Sequence, residues 1–198
     1  MTWLAWVILI IGGYLLGSIP SAYIVVKLKK GTDIRQIGSG NIGATNTIRA
    51  AGRGTGVLVF LMDMAKGAIP TLVGMAISRD LAIVAGFAAF IGHLFPIWLN
   101  FKGGKGVSTA FGVALAMYPL YALFCISLWF IVMLATGYVS LGSCCGTALM
   151  PFISIFTHQP LICTIIFIII AFLVCWRHRE NFRNIKAGTE GRSFRRKN

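Results

Sequence analysis

The chain has 198 residues, 57% of them hydrophobic and 12% charged, with a mean hydropathy of +0.82. A soluble domain of this size is nearer half apolar and a quarter charged, so these numbers exclude a soluble module and point to helices that cross a bilayer. The formal net charge of +13 then reads first as orientation, because Lys and Arg gather in cytoplasmic loops, and no nucleic-acid partner is expected.

Residues 2–26 form the first expected span, with Trp3 and Trp6 as interfacial anchors. It has no charged start, and its apolar run is too long for a signal peptide, so it reads as a retained helix. A polar stretch, 27–54, carries Lys27, Lys29, Lys30, Arg35, Arg49 and Arg53. The second span covers about 56–78 and contains Asp63 and Lys66, which share a helix face at i, i+3. Such charges face a bundle interior or a polar cavity, either as a buried ion pair orienting the helix or as part of a site. After Arg79-Asp80 the third span runs to about 100, followed by the loop FKGGKG, 101–106.

The run 107–136 has no charge and crosses either once or twice. Two further spans, about 138–156 and 160–176, flank the turn at His158-Gln159-Pro160. If 107–136 turns at Tyr118-Pro119, sixteen of the eighteen basic residues fall on one side. A single crossing would separate the basic tail from the other basic loops. The expected architecture is therefore all-α: one domain over 1–198 with seven transmembrane helices, the N-terminus outside and the C-terminus cytoplasmic. Its fourth helix is short for a bilayer of about 30 Å, which is tolerable if the start opens onto a polar cavity. The five cysteines lie in apolar spans without zinc-site spacing and read as small buried hydrophobes.

Three polar segments carry the chemistry. The first, IGSGNIGATN, satisfies G-x-G-x-x-G at Gly38, Gly40 and Gly43. No buried strand precedes it and no βαβ unit fits, so the dinucleotide-binding meaning fails. Its physics survives: glycines let successive N–H groups converge on an anion. Ser39, Asn41, Thr45 and Asn46 add donors, and Arg49 adds a charge. The second, HLFPIWLNFKGGKGVST, combines His93, Lys102 and Lys105 with Gly103, Gly104 and Gly106, and its end starts a helix whose first N–H groups favour anions. It does not match the Walker A pattern, since Gly106 follows Lys105. Lys102 is equally explained by anchoring, whereas Lys105, bracketed by glycines, points to function. The third, RHRENFRNIKAGTEGR, joins His178, Asn181 and two acids to a basic helix end, more than a polybasic lipid-attracting tail requires. For Arg195, Arg196 and Lys197 the lipid or topology role suffices. Together the segments describe a receptor for phosphate-bearing anions at the water–lipid boundary.

SGNIGATN with Arg49 downstream, GHLFPIWLNFKGGKGVST and RHRENFRNIKAGTE resemble, in order, the three signatures of the bacterial acyl-phosphate:glycerol-3-phosphate acyltransferases, the PlsY family. The likeness extends from the first helix to Glu190. It implies seven helices, a cytoplasmic-face site in the bacterial inner membrane, and synthesis of lysophosphatidic acid from acyl phosphate and glycerol 3-phosphate. It assigns Ser39, Asn41, Thr45, Asn46 and Arg49 to phosphate binding, and His93, Lys105, Ser108 and Thr109 from the second signature. From the third it takes His178, Asn181 and Glu190, and from the turn YVSLGS the serines Ser140 and Ser143. Ser108 stands where the family often has Ala, a mild departure. Lys105, Arg49, His178, Asn181 and His93 are the expected catalytic group. No cofactor or bound metal is expected, although magnesium can enter with a substrate phosphate. Membrane lipid and the enzyme that forms the acyl phosphate are the candidate partners. Rivals from other classes are a transporter or channel for organic phosphates and a lipid-binding scaffold. Against the transporter stand the lack of an inverted repeat and the one-sided polar clusters; a scaffold leaves the glycine-lysine loop unexplained.

Overall fold

In a computed structural model, which describes residues 3–192, every regular element is helical. Arg195, Arg196 and Lys197 lie outside the described residues. The first expected span is interrupted: α1, Trp3–Ser18, stops before Pro20 and α2, Ser21–Lys30, restarts after it. Proline has no N–H to continue the ladder, and its ring crowds the preceding turn.

The polar stretch that follows holds more structure than its composition suggests. Asp33 opens a 3-10 turn at Ile34–Gln36 by accepting the Arg35 N–H at 2.9 Å. The Arg35 guanidinium lies 2.6 Å from the same carboxylate and holds it below the usual carboxylate range. A helix, α3, then covers Ala44–Ala51. Next come α4, Arg53–Met75, and α5, Arg79–Leu94, the latter capped by the Ser78 hydroxyl accepting the Leu81 N–H at 3.2 Å. The uncharged run divides at Tyr118 into α6, Val107–Met117, and α7, Pro119–Thr136, with proline in the first turn, where its missing N–H is harmless. α8, Val139–Phe156, α9, Leu161–Arg177, and α10, Arg179–Lys186, complete the described chain.

Among the described residues, counting α1 and α2 together, five helices are long and apolar enough to cross a membrane, or six if α9 and α10, bent by 47°, count as one. α6 has only 11 residues. Of the cysteines, Cys125, Cys144 and Cys163 are buried as expected, whereas Cys145 is exposed.

The described chain falls into two units, one up to Met117 and one from Tyr118 onward. In the first, α1 lies along α5 and α4, α4 along α5 and α6, and α3 on α4. Gly13 and Gly17 bring α1 against the backbone of Ala85 and Ala89, the small-residue seam by which apolar helices approach closely. The start of α6 meets α4 at Gly67, opposite the Thr109 carbonyl. At 1.5 Å per residue, Gly67 lies about 21 Å along α4 from its first residue. The short α6 thus starts well along α4, near the level at which α5 ends, since His93 lies 3.9 Å from Asp63.

In the second unit α7 packs on α8 and α8 on α9. A hydroxyl pair, Ser154 and Thr164, joins α8 to α9 at 2.7 Å. Hydroxyl–hydroxyl bonds of this kind tie apolar helices together where packing alone is weak.

Candidate functional site

The first segment is shaped by Asn46, in the first turn of α3 and 1% exposed. Its Oδ1 accepts the Ser39 N–H at 3.1 Å, while its Nδ2 donates to the carbonyls of Ile37 at 2.9 Å and Ile34 at 3.3 Å. Asn46 thus supports the loop from beneath. Gly38 and Gly40 flank Ser39 with φ of +58° and +68°, a conformation glycine adopts without strain. A side chain at Gly38 would also crowd the Asn46 amide. Above this base Ser39, Thr45 and Arg49 are exposed, with Gly40, Asn41 and Gly43 half-buried at the start of α3. The loop presents a short row of polar groups at a helix N-terminus, where unpaired N–H groups favour anions.

The second segment folds back onto the end of α5. The N–H groups of Gly103 and Gly104 donate to the carbonyls of Leu94 at 3.1 Å and His93 at 3.2 Å. The Tyr14 hydroxyl, from α1, donates to the Phe95 carbonyl at 2.9 Å and fixes the start of the turn. Gly104 lies so close to the His93 ring that a Cβ would run into it. Lys105 follows, half-buried, and the Gly106 carbonyl accepts the Ala110 N–H at 2.8 Å as α6 begins. Ser108 is half-buried; Thr109 is fully buried, and its hydroxyl has no hydrogen-bond partner. Lys102 is exposed.

These two segments meet. A pocket of about 10 Å³, room for a single water, is lined by Ile42 of the first segment and by His93 and Pro96 of the second, together with Ser18, Ser21, Asp63 and Lys66. Asp63 and Lys66 form the ion pair that their spacing suggested, at 2.6 Å. Ser21 is a contributor that sequence reasoning missed: it is 1% exposed and its hydroxyl has no partner. A serine beside Pro20 reads as an ordinary helix start, so no spacing signal marks it.

The third segment belongs to the second unit. His178, 4% exposed, ends α9 with its Nδ1 2.8 Å from the Val174 carbonyl. A carbonyl only accepts, so Nδ1 carries the proton, and in the neutral ring Nε2 holds the lone pair. Asn181 donates its Nδ2 to Glu190 Oε1 at 2.6 Å, which orients the amide. The chain reverses after α10 because the Thr189 and Glu190 N–H groups both donate to the Asn184 carbonyl. Arg192 then lies over the Tyr138 ring, 5.2 Å from its centroid. The two serines of YVSLGS differ. Ser143 donates to the Val139 carbonyl at 2.8 Å and accepts from the Trp129 indole at 3.3 Å, whereas the buried Ser140 hydroxyl has no partner. Among the described residues no group of three or more His, Cys, Asp or Glu side chains is placed to hold a metal ion.

Residues 7–188 match the family model described as glycerol-3-phosphate acyltransferase. The chain belongs to that family. It is a multi-pass membrane acyltransferase. Glycerol-3-phosphate acyltransferases of Geotalea daltonii and Aquifex aeolicus are 42% and 43% identical to it, each over 93% of this chain and 95% and 97% of the relative. Two crystal structures of PlsY, an integral membrane glycerol 3-phosphate acyltransferase, are similar over 94% of each chain. The glycerol 3-phosphate form has a TM-score of 0.91 at 40% identity, and the lysophosphatidic acid form 0.87 at 38%. Two of the acyltransferase's three polar segments line one pocket.

Proposed function

We propose that this acyltransferase joins the acyl group of an acyl phosphate to glycerol 3-phosphate, giving lysophosphatidic acid and inorganic phosphate at the cytoplasmic face of a bacterial inner membrane. The observation that carries this reading is that one fold, at 38–40% identity to this chain, is known both in a glycerol 3-phosphate form and in a lysophosphatidic acid form. The two glycine-rich segments at one pocket support it, because both substrates carry phosphate.

The donor is a mixed anhydride and is already activated, so no covalent enzyme intermediate is needed. The glycerol hydroxyl oxygen bonds to the acyl carbon, the bond from that carbon to the phosphate oxygen breaks, and the hydroxyl proton leaves with the departing phosphate. The protein binds two phosphates against their repulsion, aligns hydroxyl and carbonyl, and steadies the developing charge. Lys105 and Arg49 neutralise phosphate. The N–H groups of 41–43 and 106–109 hold the oxygens, with Ser39, Asn41, Thr45, Ser108 and Thr109 as side-chain donors. Asn181, Ser140 and His178 Nε2 orient acceptor and carbonyl. In this scheme the chain crosses the membrane seven times, with the N-terminus outside and the C-terminus cytoplasmic, as one functional domain. The enzyme that makes the acyl phosphate is the natural partner.

Purified protein in lipid, given palmitoyl phosphate and glycerol 3-phosphate, is expected to release lysophosphatidic acid and phosphate in equal amounts. Uptake of glycerol 3-phosphate into liposomes without ester formation would instead favour a transporter. Cysteine labelling at the exposed position 102 and at the C-terminus is expected to report the same compartment; opposite compartments overturn the scheme. The Asn181–Glu190 bond predicts a second result. Glu190→Gln keeps an oxygen facing Asn181 Nδ2 and retains most activity. Glu190→Ala lowers kcat/KM about tenfold, the size of one charge-assisted hydrogen bond.

A further inference from the structure

The transfer scheme makes no use of the charges buried in the middle of α4. Asp63 and Lys66 are 2% and 5% exposed, and a buried ion pair is poor evidence for stability, since apolar replacements are often neutral or better. Their surroundings suggest another role. The Asp63 oxygen that takes Lys66 also lies 3.9 Å from His93 Nδ1. The opposite edge of that ring lies against Gly104, and the His93 backbone carbonyl accepts the Gly104 N–H. The water-sized pocket beside them is bordered by Asp63, Lys66 and the unpartnered Ser21 hydroxyl. One water there can join Ser21 to the charged groups.

We propose that the Asp63–Lys66 pair is a positioning device: it fixes the His93 ring, and through that ring the Gly103–Gly106 segment that carries Lys105. His93 thereby acts by placement and not as the proton acceptor. The catalytic half of this inference rests on the transfer scheme above; the structural half does not, and the two are read by separate measurements.

The experiment uses the full chain in lipid bicelles. Three variants are compared with wild type: Asp63→Asn, the apolar double variant Asp63→Leu with Lys66→Met, and His93→Phe, which keeps the ring's bulk but loses its polar link. Hydrogen–deuterium exchange over 101–106 reads the Gly103 and Gly104 amides whether or not the protein is active. Thermal unfolding reports folding, and kcat and KM are measured for both substrates. For the double variant and His93→Phe the expected result is exchange about tenfold faster in that segment, with the unfolding midpoint near wild type. kcat is expected to fall about tenfold or more, as small misplacements of a reacting group do. Wild-type exchange in His93→Phe, or wild-type exchange and kcat in the double variant, overturns the proposal. If Asp63→Asn fails to fold because Lys66 is left uncompensated, the other two variants still decide. If wild type itself forms no ester, the transfer scheme fails while the exchange result still judges the clamp.

Discussion

Lys105→Ala is expected to lower the rate of lysophosphatidic acid formation by about a hundredfold or more, while the thermal unfolding midpoint stays near wild type. Removing one preorganised group that meets developing or transferred charge typically costs about 2.7–4 kcal/mol, or 10²–10³ in kcat. Lys105 fits that role by placement: it is half-buried, on a loop pinned to the end of α5 through Gly103 and Gly104, just before α6 begins at Val107. The exposed Lys102 is the internal comparison. Its ammonium is hydrated whether or not substrate is bound, so Lys102→Ala is expected to change turnover by no more than about threefold, well under 1 kcal/mol. Lys105→Arg is expected to rescue poorly, because a planar guanidinium does not replace a compact ammonium in a tight glycine loop. Turnover of Lys105→Ala within about threefold of wild type would remove this residue from the site.

What could be read from the sequence was what depends on local spacing. The Asp63–Lys66 pair follows from i, i+3 geometry, and the division of 107–136 follows from Pro119 and the placement of charge. The three polar segments were recognised from residue type and order. What was hidden depends on where distant residues meet. α3 was not expected inside the polar stretch, because eight residues with two buried positions give too short a period to register. That α6 starts well along α4 follows from the contact between Gly67 and Thr109, on helices separated in sequence by α5. Ser143 and Ser140 look alike in YVSLGS. Only the fold shows that Trp129 and the Val139 carbonyl engage the first and leave the second unpartnered. The protonated nitrogen of His178 likewise follows from the Val174 carbonyl one helical turn away, a relation that needs the ring's orientation as well as its position.

Asn46 gives the second large effect, and its direction distinguishes a scaffold from a ligand. Read as a phosphate donor, Asn46 would lose binding on mutation and little stability. In the fold its amide is engaged on three backbone groups, Ser39, Ile37 and Ile34, in a nearly sealed site. Asn46→Ala removes three hydrogen bonds at about 0.5–1.5 kcal/mol each, although the Ile34 and Ile37 carbonyls keep the Ile37 and Gly40 N–H groups, so a loss of roughly 2–4 kcal/mol is expected, read as a lowered unfolding midpoint. Asn46→Asp is the sharper comparison. It is isosteric and keeps an oxygen for the Ser39 N–H, but it sets a second oxygen against two carbonyl oxygens and buries a charge. It is therefore expected to be at least as destabilising as alanine. An aspartate more stable than alanine would mean that the Ile34 and Ile37 carbonyls do not depend on the Asn46 amide. Both variants are also expected to raise KM for glycerol 3-phosphate, because the Asn46 amide fixes the left-handed turn at Gly38 that presents Ser39 and the start of α3. Loss of stability and loss of phosphate affinity should therefore fall together at Asn46 but separately at Lys105, since only Asn46 both builds the loop and lies beneath it.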